Sequence, residues 1–213
     1  MKKLLILTSF MSFILAGYNT NAFASSANAA MSCPADAPQF TTEIGLAAIK
    51  QWGKNAYKHS PKGPKGYSSA NVAAAYFTLS SYAPDAVLLP TVSQVSRVGT
   101  QGIYDYFINF LQENPVMSKV PMTGGTTLAG CGEGVISGYY NFVLQKAGET
   151  PKHVHARYTM QFEYSAKPRE VSLKLIGNSD GENVIKYTQP VGWYIKLQNS
   201  AVLPVEHEEF SSK

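Results

Sequence analysis

The sequence predicts an α+β domain in which about three N-terminal helices pack on a curved antiparallel sheet. Three observations carry this. Apolar residues recur at three-to-four spacing in separate stretches between 41 and 111, which is the helix period. From 134 onward the dominant period is two, which is the strand period. Glycine- and asparagine-rich turn signals separate those later stretches. A sheet curved around helices leaves a cone, and the open end of a cone is a pocket.

The elements follow in order. Ile44, Ala48, Ile49, Trp52 and Ala56 share one helical face; Thr41 or Thr42 caps its start, and Gly53 weakens its end. A Pro/Gly loop comes next. Ser68 or Ser69 caps a short helix with Val72, Ala75, Tyr76 and Leu79 facing inward. Asp85-Ala86-Val87-Leu88-Leu89-Pro90 reads as a buried strand that proline ends. Residues 92–97 alternate as a second short strand. Thr100 caps a third helix with the stripe Ile103, Phe107, Phe110 and Leu111, and Pro115 stops it. Residues 134–146 form a long aromatic strand, and 148–152 a turn. Residues 153–165 place Val154, Ala156, Tyr158, Met160 and Phe162 on one face and His155, Arg157, Thr159, Gln161 and Glu163 on the other. Residues 171–176 and 183–188 flank Gly177-Asn178-Ser179-Asp180-Gly181, a hairpin turn suited to positive φ. Residues 193–200 supply the last strand.

The chain has 213 residues, enough for one domain with a sizeable core. It is 45% hydrophobic and only 15% charged, with 13 tyrosines, which suits a β-rich fold with a half-polar interior. Lys2 and Lys3, the apolar run 4–16 and Ala22-Phe23-Ala24 read as a signal peptide over 1–24, with Ala27-Asn28-Ala29 as a second cleavage candidate. The rival reading is an uncleaved anchor. Residues 25–40 read as a flexible segment, 41–204 as the domain with an inserted hairpin at about 167–190, and 205–213 as a tail. Cleavage places the protein outside the cytoplasm, in a periplasm or secreted, with no membrane as a partner after cleavage.

Losing Lys2 and Lys3 lowers the formal charge of +4 by two, and a nearly neutral protein is a poor partner for nucleic acid. The lysines at 54, 58, 62 and 65 read as a solvated loop. Export permits a disulfide between Cys33 and Cys131; the other reading is two free thiols. No zinc-like Cys/His spacing and no glycine-rich phosphate loop is present, so neither metal nor cofactor is expected.

The ordered series Asp-Ala-Val-Leu-Leu-Pro-Thr at 85–91, Tyr-Asp-Tyr-Phe at 104–107, Ser-Gly-Tyr-Tyr-Asn-Phe at 137–142, Ala-Arg-Tyr-Thr at 156–159 and Trp-Tyr-Ile at 193–195 resembles a defined group. It is similar to the calcium/calmodulin-dependent protein kinase II association-domain-like branch of the nuclear transport factor 2-like superfamily. The resemblance runs from about 41 to 204 and implies a cone-shaped pocket fold that oligomerises, as a homodimer or a larger ring. Exported bacterial members resemble iota-class carbonic anhydrases, whose last strand carries His-His-His-Ser-Ser before a proline. Here Trp193, Ile195 and Pro204 match that frame. Leu197, Gln198 and Asn199 stand at the histidine positions, Ser200 keeps the first serine, and Ala201 replaces the second.

The resemblance places Tyr140 in the pocket, with Thr91, Ser93 and Arg97 where the polar lining begins and Thr123, Thr126 and Thr127 near a further threonine. Carbon dioxide hydration needs an activated water and a proton exit. Gln198 and Asn199 hydrogen-bond but do not titrate near neutrality. The residues thus favour binding a small polar or anionic ligand through Thr91, Ser93, Arg97, Tyr140, Arg157, Tyr158, Asn199 and Ser200, with no catalytic residue assigned. Arg97 reads equally as a surface arginine, and Arg157 as half of a cross-strand pair with Glu163 or Glu133. Tyr140 and Tyr158 also read as core tyrosines. His153 and His155 share one strand face, too few for a zinc site, and His59 and His207 read as solvent groups. Two further functions stand beside ligand binding: a carbonic anhydrase that tolerates the altered ending, and a protein-interaction module with the hairpin at 167–190 as its contact arm.

Overall fold

The computed structural model describes residues 32–67, 69–91, 93, 95–118, 123–176 and 183–203. The signal peptide over 1–24, the cap candidate Ser68, the turn 177–181, Pro204, His207 and the tail 205–213 lie outside them.

Three helices precede or interrupt the first strands: α1 (Thr42–Lys58), α2 (Ala70–Ser81) and α3 (Gly99–Phe110). Thr41 caps α1 by accepting the Ile44 N–H at 3.3 Å, and Ser69 caps α2 by accepting the Val72 N–H at 3.3 Å. α3 departs from expectation. Its N-cap is Val98, without a side-chain cap, because Thr100 Oγ1 donates to the Pro84 carbonyl at 3.1 Å instead.

The main sheet contains β1 (Tyr82–Leu89), β2 (Arg97–Val98), β3 (Val116–Met117), β4 (Thr123–Ala129), β5 (Glu133–Leu144), β6 (Lys152–Ser165) and β9 (Gly192–Val202). The order is β2-β1-β9-β6-β5, and β3 and β4 both pair with β5. β1 runs parallel to β9; every other pairing is antiparallel. Two strands differ from expectation. Among the described residues of 92–97, pairing begins at Arg97, and Ser93 Oγ accepts the Val95 N–H ahead of it. β4 was not foreseen, because Gly124 and Gly125 weaken its strand pattern. Gly124 is required: a Cβ there would sit 2.7 Å from the Tyr158 hydroxyl.

Register assigns each residue to a face. Tyr140 pairs with Ala156, and Tyr158 pairs with Ser200. Ile136, Tyr140, Phe142, Val154, Ala156, Tyr158, Met160, Phe162 and Ile195 are buried and face the helices. Ile49, Trp52, Phe77, Ile103 and Phe107 meet them. Each such side chain contributes about 1.5–3 kcal/mol by burial.

β7 (Arg169–Lys174) and β8 (Val184–Gln189) form a separate hairpin. It does not project as an arm. Val171 and Leu173 are buried, Gln189 Nε2 donates to the Leu79 and Tyr82 carbonyls at 2.6 and 2.8 Å, and Gln101 bonds Lys174. This explains why α2 is apolar on nearly all sides: sheet and hairpin both cover it.

Cys33 and Cys131 form a disulfide with Cα atoms 5.4 Å apart. Phe40 N–H donates to the Gly130 carbonyl, Gly132 N–H to Pro38, and the Phe40 ring is fully buried. Residues 32–40, read from composition as part of a flexible segment, are therefore held on the domain. A Cβ on Gly134 would lie 2.0 Å from the Phe40 ring, so β5 needs glycine there. His59, expected in solvent, is only 7% exposed; its Nδ1 lies 2.8 Å from the Asn55 carbonyl and its ring stacks on Tyr67. Among the described residues no helix is long and apolar enough to cross a membrane.

Candidate functional site

The sheet separates the candidate residues into two groups. Tyr140, Tyr158 and Ser200 face inward with exposures of 3%, 2% and 6%, whereas Arg157 and Asn199 are exposed on the other face. Strand alternation enforces this, because Arg157 and Tyr158 are neighbours, as are Asn199 and Ser200.

The inner cavity is lined by Trp52, Leu88, Thr91, Tyr106, Phe107 and Phe110, among others, and its volume is about 30 Å³. That holds about two waters. The open cone expected from sequence is thus closed, by large aromatic side chains from α1 and α3. Its polar floor is one chain of hydrogen bonds. Trp52 Nε1–H donates to the Tyr82 hydroxyl at 3.0 Å, Tyr82 donates to Gln198 Oε1 at 2.6 Å, and Gln198 Nε2 donates to Ser200 Oγ at 3.2 Å. Tyr140 stacks on Tyr158 at 5.3 Å and lies 3.4 Å from Thr91 Oγ1. Burial raises the Tyr140 pKa, against weaker opposing hydrogen bonds from Ser200, Thr91 and Gln198. Burial also pushes Tyr158 up to about 12. These phenols stay neutral at ordinary pH. Gln198, Trp52 and Tyr82 are not among the pocket candidates that the sequence offers. Gln198 shares the parity of Ser200, which is the signal that finds it.

The outer face carries a groove of about 470 Å³, lined by Ser137, Gly138, Tyr139, Arg157, Tyr158, Thr159, Asn199 and Ala201. Ser137 and Thr159 hydroxyls lie 3.0 Å apart across β5 and β6. Arg157 faces Tyr139 on one side and Ala201 on the other in the strand register. Its carboxylate candidates are elsewhere: Glu163 pairs with Arg169 at 2.6 Å and Lys196 at 3.5 Å, and Glu133 lies opposite Glu163. Among the described residues Arg157 makes no ion pair. A small residue at Ala201 keeps the groove open beside the guanidinium.

The remaining candidates fall outside both. Arg97 Nη1 donates to Asp105 at 3.1 Å, and Ser93 makes the bond to Val95 already described. Thr123, Thr126 and Thr127 lie on β4, with side chains outside the described residues. His155 Nδ1 lies 2.6 Å from Asn141 Oδ1, and no group of three metal-ligating side chains occurs among the described residues.

No protein-family model and no curated protein matches the chain. Solved structures do. A protein assigned as a calcium/calmodulin dependent protein kinase II association domain from Xanthomonas campestris is 24% identical, with a TM-score of 0.51, over 82% of this chain and 94% of that one. A nuclear transport factor 2-like protein with a cystatin-like fold from Novosphingobium aromaticivorans is 11% identical, with a TM-score of 0.46, over 80% and 88%. A protein with a cystatin-like fold from Caulobacter vibrioides is 11% identical, with a TM-score of 0.45, over 80% and 94%. The first likeness shows the fold: this chain has the association-domain-like arrangement of helices on a curved, mostly antiparallel sheet.

Proposed function

We propose that this is an exported, non-catalytic domain that binds a small anionic ligand, such as a carboxylate, in the groove on the outer face of its sheet. The observation that carries the reading is Arg157: an arginine without an ion pair among the described residues, lining a polar groove of about 470 Å³ beside Asn199, Ser137 and Thr159. A guanidinium and the one hydroxyl proton that the Ser137–Thr159 pair leaves over supply donors for a carboxylate, and an amide adds another. The volume suits a small ligand. Export rests on the signal-like residues 1–24, and the Cys33–Cys131 disulfide agrees with it.

Absence of turnover rests on the inner cavity. Its lining offers tyrosines, a threonine and a glutamine as polar groups, and none takes up a proton near neutrality. Stopped-flow carbon dioxide hydration should proceed at the buffer rate. The association-domain likeness supports self-association, for which exposed Leu128 and Tyr139 supply apolar contact. Analytical ultracentrifugation giving a monomer at high concentration would remove that part. For the ligand, heteronuclear NMR titration with succinate should shift amide signals of Ser137, Arg157, Thr159 and Asn199. Shifts confined to residues of the inner cavity would refute the groove.

A further inference from the structure

A second surface is set apart by charge. Lys50, Lys54 and Lys58 recur at four-residue spacing on α1, so they line one side of the helix over about 12 Å. The following loop folds back on the helix end. Tyr57 Oη donates to the Lys62 carbonyl at 3.3 Å, and a Cβ on Gly63 would lie 2.2 Å from the Tyr57 carbonyl oxygen, a closeness only glycine allows. Lys62 and Lys65 therefore continue the stripe beyond Lys58. Lys58 and Lys65 both act on His59, where they add to the effect of burial in lowering its pKa.

Among the described residues no carboxylate pairs with any of the five lysines of the stripe. The sequence has no aspartate or glutamate between 44 and 84. Glu113, whose neighbour Asn114 accepts the Lys62 N–H, is engaged by Lys146. Exposed Tyr57 stands among the lysines. The chain's first arginine is Arg97, so the patch is built of lysine alone. Lysine is a point charge on a flexible stem and attracts phosphates diffusely, where arginine would fork onto one defined group. An exposed helix side of this kind, with a tyrosine for the headgroup level, matches a flat anionic surface.

We infer that the lysine side of α1, continued by Lys62 and Lys65, is a docking surface for a membrane rich in anionic phospholipid. It lies apart from the groove and does not depend on it.

Vesicle co-sedimentation tests this with the chain as the cell processes it. Vesicles of equal parts phosphatidylglycerol and phosphatidylcholine should carry the protein down at low salt and release it at high salt, while phosphatidylcholine alone should not bind it. Salt release separates the stripe from any apolar N-terminal segment, whose binding salt does not weaken. K50Q/K54Q/K58Q should weaken binding by about a hundredfold, at about tenfold or less per lysine. K62Q/K65Q, which leaves the helix untouched, should weaken it by a smaller factor. K152Q/K167Q/K174Q, on the strands and the segment between them, should change nothing. Glutamine matches lysine in helix propensity, so unfolding midpoints should agree. The proposal is overturned if the stripe variants bind like the parent, or if binding ignores salt. It is also overturned if the parent takes up heparin from solution but leaves the anionic vesicles unbound.

Discussion

The two faces of one sheet have opposite chemistry. Along β6, Tyr158 is buried and its ring stacks on Tyr140, which lines the small inner cavity, while the adjacent Arg157 borders an open groove. Along β9, Ser200 joins a buried hydrogen-bond chain, while the adjacent Asn199 is exposed. The inner face is filled and self-satisfied, with aromatic rings from the helices taking the space and Gln198 pairing with Tyr82 and Ser200. The outer face keeps an arginine, Arg157, without a counter-ion among the described residues. A closed polar network stabilises and orders a core; an open one is free to receive a ligand. The difference teaches that the cone of this fold is spent on packing, and that the larger cavity lies on the other side of the sheet.

Trp52→Ala should break the inner face hardest. It removes a ring packed on Phe77, Tyr140 and Phe142 and the donor to the Tyr82 hydroxyl, which keeps only its bond to Gln198, for a loss of about 3–5 kcal/mol in urea unfolding. Cys33→Ser with Cys131→Ser should cost about 2–4 kcal/mol, because the link closes a loop across a sequence separation of 98. Alkali should then probe the buried phenols. Burial raises Tyr158 and Tyr194 to about 12, so the folded state holds protons that the unfolded chain releases near pH 10. Their contribution is complete below pH 10 and declines as pH rises from 10 to 12, by at most about 1.4 kcal/mol per pH unit for each group. Stability that stays flat over that window would mean that these two phenols are open to water. Arg157→Gln should have the smallest effect on stability, within about 0.5 kcal/mol, while abolishing carboxylate binding. A large loss of stability would mean that Arg157 is structural.

Much of this architecture is legible in the sequence, and what is hidden has physical causes. The helix stripe through Ile49 and Trp52 and the alternation from Val154 to Phe162 both report burial on one face, which is what periodicity measures. β4 is hidden because Gly124 serves a close approach to Tyr158, which only the neighbouring strands reveal. The missing cap at Thr100 follows from a competing carbonyl at Pro84, sixteen residues away. The site is harder to read. Alternation along β6 and β9 already separates Arg157 from Tyr158 and Asn199 from Ser200, but which parity faces the helices depends on register. Closure of the cone depends on how far Phe107 and Phe110 reach across it, which no local pattern encodes.

The central claim is that ligand binds outside the cone. Calorimetric titration of succinate into the parent, Arg157→Gln and Tyr140→Phe tests it directly. The account predicts that Arg157→Gln abolishes the binding heat and Tyr140→Phe leaves it unchanged. Binding that survives Arg157→Gln and is lost in Tyr140→Phe would contradict it.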